Sequence, residues 1–153
     1  MKLIIREFIR LNVVLVTALT TWTIAQALKV LVDFVGDRKW NWVLLFEAGG
    51  MPSSHSAMVS STAYSIGLFL GFDSALFALA TILAMVVIYD ATGIRYQAGK
   101  QAELLNKIMT DISKGKFDQQ KRLTEVLGHT PGEAILGTIL GLVMAQLFWF
   151  VVR

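Results

Sequence analysis

Gly49-Gly50-Met51-Pro52-Ser53-Ser54-His55-Ser56-Ala57 stands directly ahead of a long apolar run and marks where a buried helix begins. Pro52 suits the first turn of a helix, where its missing N–H costs nothing. The hydroxyls of Ser53, Ser54 and Ser56 can satisfy the free backbone donors of such a start. The two glycines let the backbone approach a ligand closely. Free N–H groups and the positive dipole end favour an anion there, and His55 adds a group that exchanges a proton near neutral pH. The same residues read equally well as a polar helix cap after a glycine turn.

Outward from this stretch the chain is apolar. Of its 153 residues 55% are hydrophobic and 16% charged, against about 25% charged in soluble domains. The expected fold is an all-α integral membrane bundle, one domain over 1–153. Four spans are expected at about 11–35, 52–72, 74–94 and 131–152, with a polar interfacial segment over 95–128. Cysteine is absent, and two histidines are too few for a His-rich metal site. The net charge of +3 comes without basic runs interleaved with aromatics, so nucleic acid is not an expected partner.

Leu11 to Leu28 carry no charge, which matches the length of a bilayer-crossing helix. Ala25-Gln26-Ala27 resembles a signal-peptide cleavage site, but this run exceeds the usual 7–15-residue core of such peptides. The first helix is therefore expected to stay. Trp40 and Trp42 in the loop over 36–50 suit the headgroup zone. Gly71 to Ser74 form a tight turn, with Ser74 as a helix cap. Asp90 closes an uncharged helix, where a carboxylate is expensive without a partner.

Residues 95–128 carry seven basic and four acidic side chains. Leu104, Leu105, Ile108 and Ile112 recur at helical spacing, so an amphipathic helix is expected over about 98–113, with a second short helix near Leu123 to Leu127. Such helices either lie in the membrane surface with basic faces towards anionic lipid or pack, solvated, on the end of the bundle. Gly67xxxGly71 and Gly137xxxGly141 allow close helix packing, although the pattern also arises by chance.

Gly128-His129-Thr130-Pro131-Gly132-Glu133 repeats the logic of the opening stretch. Thr130, Pro131 and Glu133 read as N-cap, N1 and N3 of a capping box. Glu133 also follows His129 by four, so it can orient the imidazole from the same helix face and leave the other ring nitrogen as nucleophile or base. Four spans place both histidines on one side of the membrane, together with Arg95, Lys100 and Lys29. Positive charge and helix starts favour a phosphate there, and histidines favour phosphoryl or proton transfer.

Met51-Pro52-Ser53-Ser54-His55 and His129xxxGlu133 resemble motifs of the type 2 phosphatidic acid phosphatase superfamily. GGMPSSHSA, DATGIRYQAGKQAELLN and LGHTPGEAI are more similar to its divergent branch, the acid phosphatase/vanadium-dependent haloperoxidase-related family. The resemblance implies a metal-independent lipid phosphatase with a phosphohistidine intermediate, and no cofactor. By position it makes His129 the nucleophile, Glu133 its orienting acid and His55 the acid for the leaving group, with Ser53 and Ser54 cradling phosphate. Ser54 stands where the superfamily motif has Gly, and Leu123 where it has an arginine six residues before His129. No KxxxxxxRP occurs. Lys29, Asp90, Arg95 and Lys100 are the residues expected at the phosphate in place of the missing arginines.

The expected function is hydrolysis of a membrane lipid phosphate, as a phosphomonoesterase or pyrophosphatase. The other reading is a non-catalytic membrane protein that binds anionic lipid or a partner. Thin spans suit a homodimer. Nine basic residues on the histidine side against four on the other place the site at the cytoplasmic face of the cell (inner) membrane.

Overall fold

Helices account for the regular structure of the described residues, with no strand among them. The computed structural model describes residues 2–38, 40–45, 49–112, 123 and 128–153; for 2–11, 37 and 111 it describes the backbone alone. α1 covers Lys2–Asp37, α2 Ser54–Leu70, α3 Ala75–Thr92, α4 Ile94–Ile112 and α5 Pro131–Val152, with a short 3-10 turn at Trp42–Leu45. The second short helix expected near 123–127 falls outside the described residues, apart from Leu123.

Among the described residues three stretches are long and apolar enough to cross a membrane, Asn12–Gly36, Ala75–Thr110 and Pro131–Val152, where four spans were expected. The chain is an integral membrane helical bundle. α2 differs in kind from the spans around it. Its 17 residues make a helix about 25 Å long, shorter than the expected 52–72. It packs against α1, α3 and α5. Its buried residues are Ser54, Ser56, Ala57, Ser60, Ser61, Ala63, Ser65 and Gly67. A helix enclosed by other helices need not be apolar, provided its hydroxyls find acceptors. Ser60 Oγ donates to Ser56 O at 2.6 Å and Ser61 Oγ to Met58 O at 2.9 Å. On the facing helix, Thr21 donates to Thr17 O at 2.7 Å. By contrast α3 buries only Ala84 and Ala91 and turns Leu76, Leu79, Ile82 and Met85 outward, as a lipid-facing helix does.

Small residues let the central helices close up. A Cβ on Gly137 would run into the Ser53 carbonyl, and one on Gly141 into Ser60 Oγ and the Ala57 carbonyl. Gly137xxxGly141 is therefore a true contact of α5 with α2. Gly67xxxGly71 is not: Gly67 is covered by the Phe72 ring, and Gly71 sits at φ +99° as the C-cap of α2. Ser74 caps α3 by accepting from Phe77 N–H at 3.2 Å, as expected.

Two helix boundaries differ from the sequence reading. α1 is broken at Asn12, whose φ of 171° and ψ of 101° are extended. Asn12 Oδ1 accepts from Leu15 N–H at 3.1 Å and so starts the spanning part afresh. Pro52 lies ahead of the N-cap and not in the first turn, because Ser53 is the cap of α2. Ala25 and Gln26 are buried in mid-helix, and Gln26 Nε2 donates to Leu45 O at 2.8 Å. At the two ends, Phe34, Trp40 and Trp42 stack in sequence, and Arg153 lies 4.7 Å from the Trp149 ring.

Candidate active site at one end of the bundle

α2 and α5 both begin at the end of the bundle where α1 and α3 finish. Ser53 Oγ caps α2, accepting from Ser56 N–H at 3.2 Å. Thr130 Oγ1 caps α5, accepting from Glu133 N–H at 3.4 Å, and Glu133 Oε2 in turn accepts from Thr130 N–H at 3.2 Å. Main-chain bonds lock these starts together. Ser53 N–H donates to Glu133 O, and His129 N–H donates to Ala91 O, both at 3.0 Å. Gly128 packs so closely on Arg95 and Tyr96 that a Cβ would strike the Tyr96 backbone.

This frame brings the two histidines side by side. The His55 and His129 rings are 5.9 Å apart between centroids and inclined at 56°. His129 is buried, and its Nδ1 lies 3.1 Å from Glu133 Oε2. An ionised carboxylate accepts only, so Nδ1 carries the proton and Nε2 keeps its lone pair. That Nε2 is buried and has no hydrogen-bond partner among the described residues. Burial pushes the His129 pKa below the ordinary imidazole range; the Glu133 hydrogen bond opposes this, and the Lys29 charge adds to it. The imidazole is therefore neutral at pH 7.

A cavity of about 510 Å³ opens beside the rings, between α2 and α3. His55, His129, Asp90 and Arg95 line its polar end; Met58, Val59, Leu83, Val86 and Val87 line the rest. Leu83 and Val86 also face outward from α3, so the apolar wall meets the lipid side of the bundle. Lys29 does not line it but is fully buried close enough for its charge to act on both imidazoles, with Nζ 3.3 Å from Ser54 Oγ. The arrangement offers a neutral nitrogen nucleophile, a second imidazole, two cations and an apolar channel.

The sequence-expected residues divide as follows. His55, His129, Glu133, Asp90 and Arg95 come together, and Lys29 meets Ser54. Ser53 is taken up in capping. Lys100 stands apart: it pairs with Glu103 at 3.1 Å on the exposed side of α4. Arg95 Nε donates to Asp90 Oδ2 at 2.7 Å, which supplies the partner Asp90 needs. Gly128 and Ala91 were not legible as site residues, since they act through backbone.

No solved structure matches the chain. Uncharacterized membrane protein YuiD of Bacillus subtilis (strain 168) is 38% identical over 144 residues, which cover 87% of this chain and 91% of that protein. The profile described as the Divergent PAP2 family matches residues 11–144. With most of its length matched, the chain belongs to the divergent PAP2 family.

Proposed function

We propose that this protein hydrolyses a membrane lipid phosphate through a phosphohistidine, without a metal. The state of His129 carries the reading: Nδ1 held by Glu133, Nε2 buried and unpartnered, at a cavity whose remaining wall is apolar. Nε2 attacks phosphorus and the bond to the leaving oxygen breaks, while His55 gives that oxygen its proton. Water then attacks the phosphohistidine, His55 takes up its proton, and inorganic phosphate leaves with His129 restored. Arg95, Lys29 and the helix starts offset the charge on the phosphoryl oxygens. Loss of one such donor typically costs about 3 kcal/mol in the barrier. The lipid chain runs along Met58, Val59, Leu83, Val86 and Val87. The substrate is a phosphomonoester or a pyrophosphate in the cytoplasmic leaflet of the cell membrane.

Purified protein in detergent is expected to release phosphate from a panel of lipid phosphates. His129→Ala is expected to fall to background with unchanged circular dichroism. An acid-labile, base-stable phosphoprotein is expected after a rapid quench, as the N–P bond dictates. Folded protein that binds these lipids and turns none over would leave a lipid-binding protein, the reading that Leu123 in place of the superfamily arginine favours.

A further inference from the structure

Asp90 and Arg95 are five residues apart. In an unbroken α-helix that spacing puts two side chains about 140° apart around the axis, on different faces. They meet here because the helix breaks between them. Gly93, with φ −103° and ψ −87°, ends α3, and α4 begins at Ile94. The break swings Arg95 back over the end of α3, and both side chains then line the cavity with the histidines.

The manner of contact is specific. The pair is exposed on its outer side, and within it Asp90 Oδ2 takes Nε of Arg95 at 2.7 Å and leaves the terminal amino groups to other acceptors. No described residue bonds the two terminal amino groups of Arg95. A bond at Nε restricts how the guanidinium swings, and the pair of parallel donors left over is what a phosphate accepts bidentately. The junction is also tied to His129, whose N–H bonds Ala91 O, the residue next to Asp90. Whatever fixes Arg95 is thus in register with His129.

We infer that Asp90 is a positioning residue: it holds Arg95 by Nε so that the terminal amino groups of Arg95 clamp the phosphate of the ligand beside His129. The inference rests on the phosphate site proposed above, but on none of its chemistry. Asp90 does not touch the phosphate; its own charge opposes an anion, and its value lies in the orientation it imposes.

Inorganic phosphate binding to the full-length protein in detergent tests this without any turnover. Asp90→Asn and Asp90→Ala both remove the negative charge, so the electrostatic change cancels between them. Only Asn keeps an acceptor for Nε. Asp90→Asn is expected to bind phosphate at least tenfold more tightly than Asp90→Ala. In an Arg95→Ala background the two are expected to bind alike, because nothing remains to be positioned. Equal affinities of the single variants, or a difference that survives loss of Arg95, would overturn the assignment. Where lipid phosphates are also turned over, Asp90→Asn is expected to keep the KM of the parent protein within a few-fold and Asp90→Ala to raise it, with kcat less affected. Absence of turnover together with the expected binding pattern would reject the phosphatase reading and leave the clamp standing.

Discussion

Glu133 Oε2 serves two masters, the Thr130 N–H that closes the capping box and the His129 Nδ1. A glutamine offers one acceptor oxygen in the same place. Glu133→Gln is therefore expected to keep the cap and the tautomer while losing the charge that balances a phosphorylated, positively charged imidazole. Turnover should fall by one to two orders of magnitude, with a melting temperature close to that of the parent protein. Glu133→Ala should also lose the cap, at about 1 kcal/mol of stability. The same geometry sets a pH dependence. In the proposed mechanism His129 attacks when neutral, and burial holds its pKa below the ordinary value, so the acid limb of kcat/KM is expected to have its midpoint below pH 6.5. His55 must carry a proton to serve the leaving group, and burial lowers its pKa too, so activity is also expected to fall as pH rises through the His55 pKa. Glu133 raises the His129 pKa and Lys29 lowers it. Glu133→Gln should move the acid limb to lower pH and Lys29→Met to higher pH, an opposed pair that a pH-rate series reads directly. The His129–Glu133 spacing was legible in the sequence, but capping and orienting demand the same position, and only the shared oxygen shows that both occur. Lys100 was misplaced for a plain reason. It follows Arg95 by five residues on an unbroken helix, about 140° round the axis, so it points elsewhere.

α5 lies against α2 through Gly137 and Gly141, and the closeness of that contact holds the two histidine-bearing helix starts at one level. Gly141→Ala, which would press on Ser60 and Ala57 deep in the bundle, is expected to lower stability by about 1–3 kcal/mol in thermal unfolding in detergent. Gly137→Ala would press on the carbonyl of Ser53, the N-cap residue of α2 itself. It is expected to lose activity in addition to stability. Gly132→Ala, with nothing within 4 Å of its Cβ, is the control and should leave both unchanged. Helix existence was legible from apolar runs and from the caps at Ser74 and Thr130, which the structure keeps. At the start of α2 the serines were legible as cap partners, but the boundary was set too early, at Pro52. The break at Asn12 was hidden inside a run that hydrophobicity alone reads as continuous; the asparagine itself was the signal. The start of α4 at Ile94, ahead of the expected 98, was masked because Gly93 separates two helices by a single residue. The character of α2 was the least legible feature. Its serines face other helices, and a sequence does not say which helix of a bundle is central.

The exposed faces of α3 and α5 are belts of Leu, Ile, Val and Phe, while the buried hydroxyls of α1 and α2 run through the interior and Lys29 and His129 lie at the end of the bundle that carries the histidines. The charge count predicts a cytoplasmic direction for that end: Arg38, Lys39 and the seven basic residues of 95–128 outnumber Lys2, Arg6, Arg10 and Arg153. Single cysteines at Lys107, exposed on α4, and at Arg153 are expected to respond oppositely to an impermeant maleimide in intact cells. Position 107 should be protected and 153 labelled; the reverse would turn the protein over in the membrane. That both histidines share one end was legible from the alternation of spans alone. What held them there was not, because the ties are the Ser53 N–H to Glu133 C=O and the His129 N–H to Ala91 C=O. Peptide groups are common to every residue except for the missing N–H of proline, so mutation can exchange the side chains around this frame without cutting it. Only proline at 53 or 129 removes a tie. What the two helix starts require of positions 53 and 129 is therefore an N–H, whatever side chain stands there.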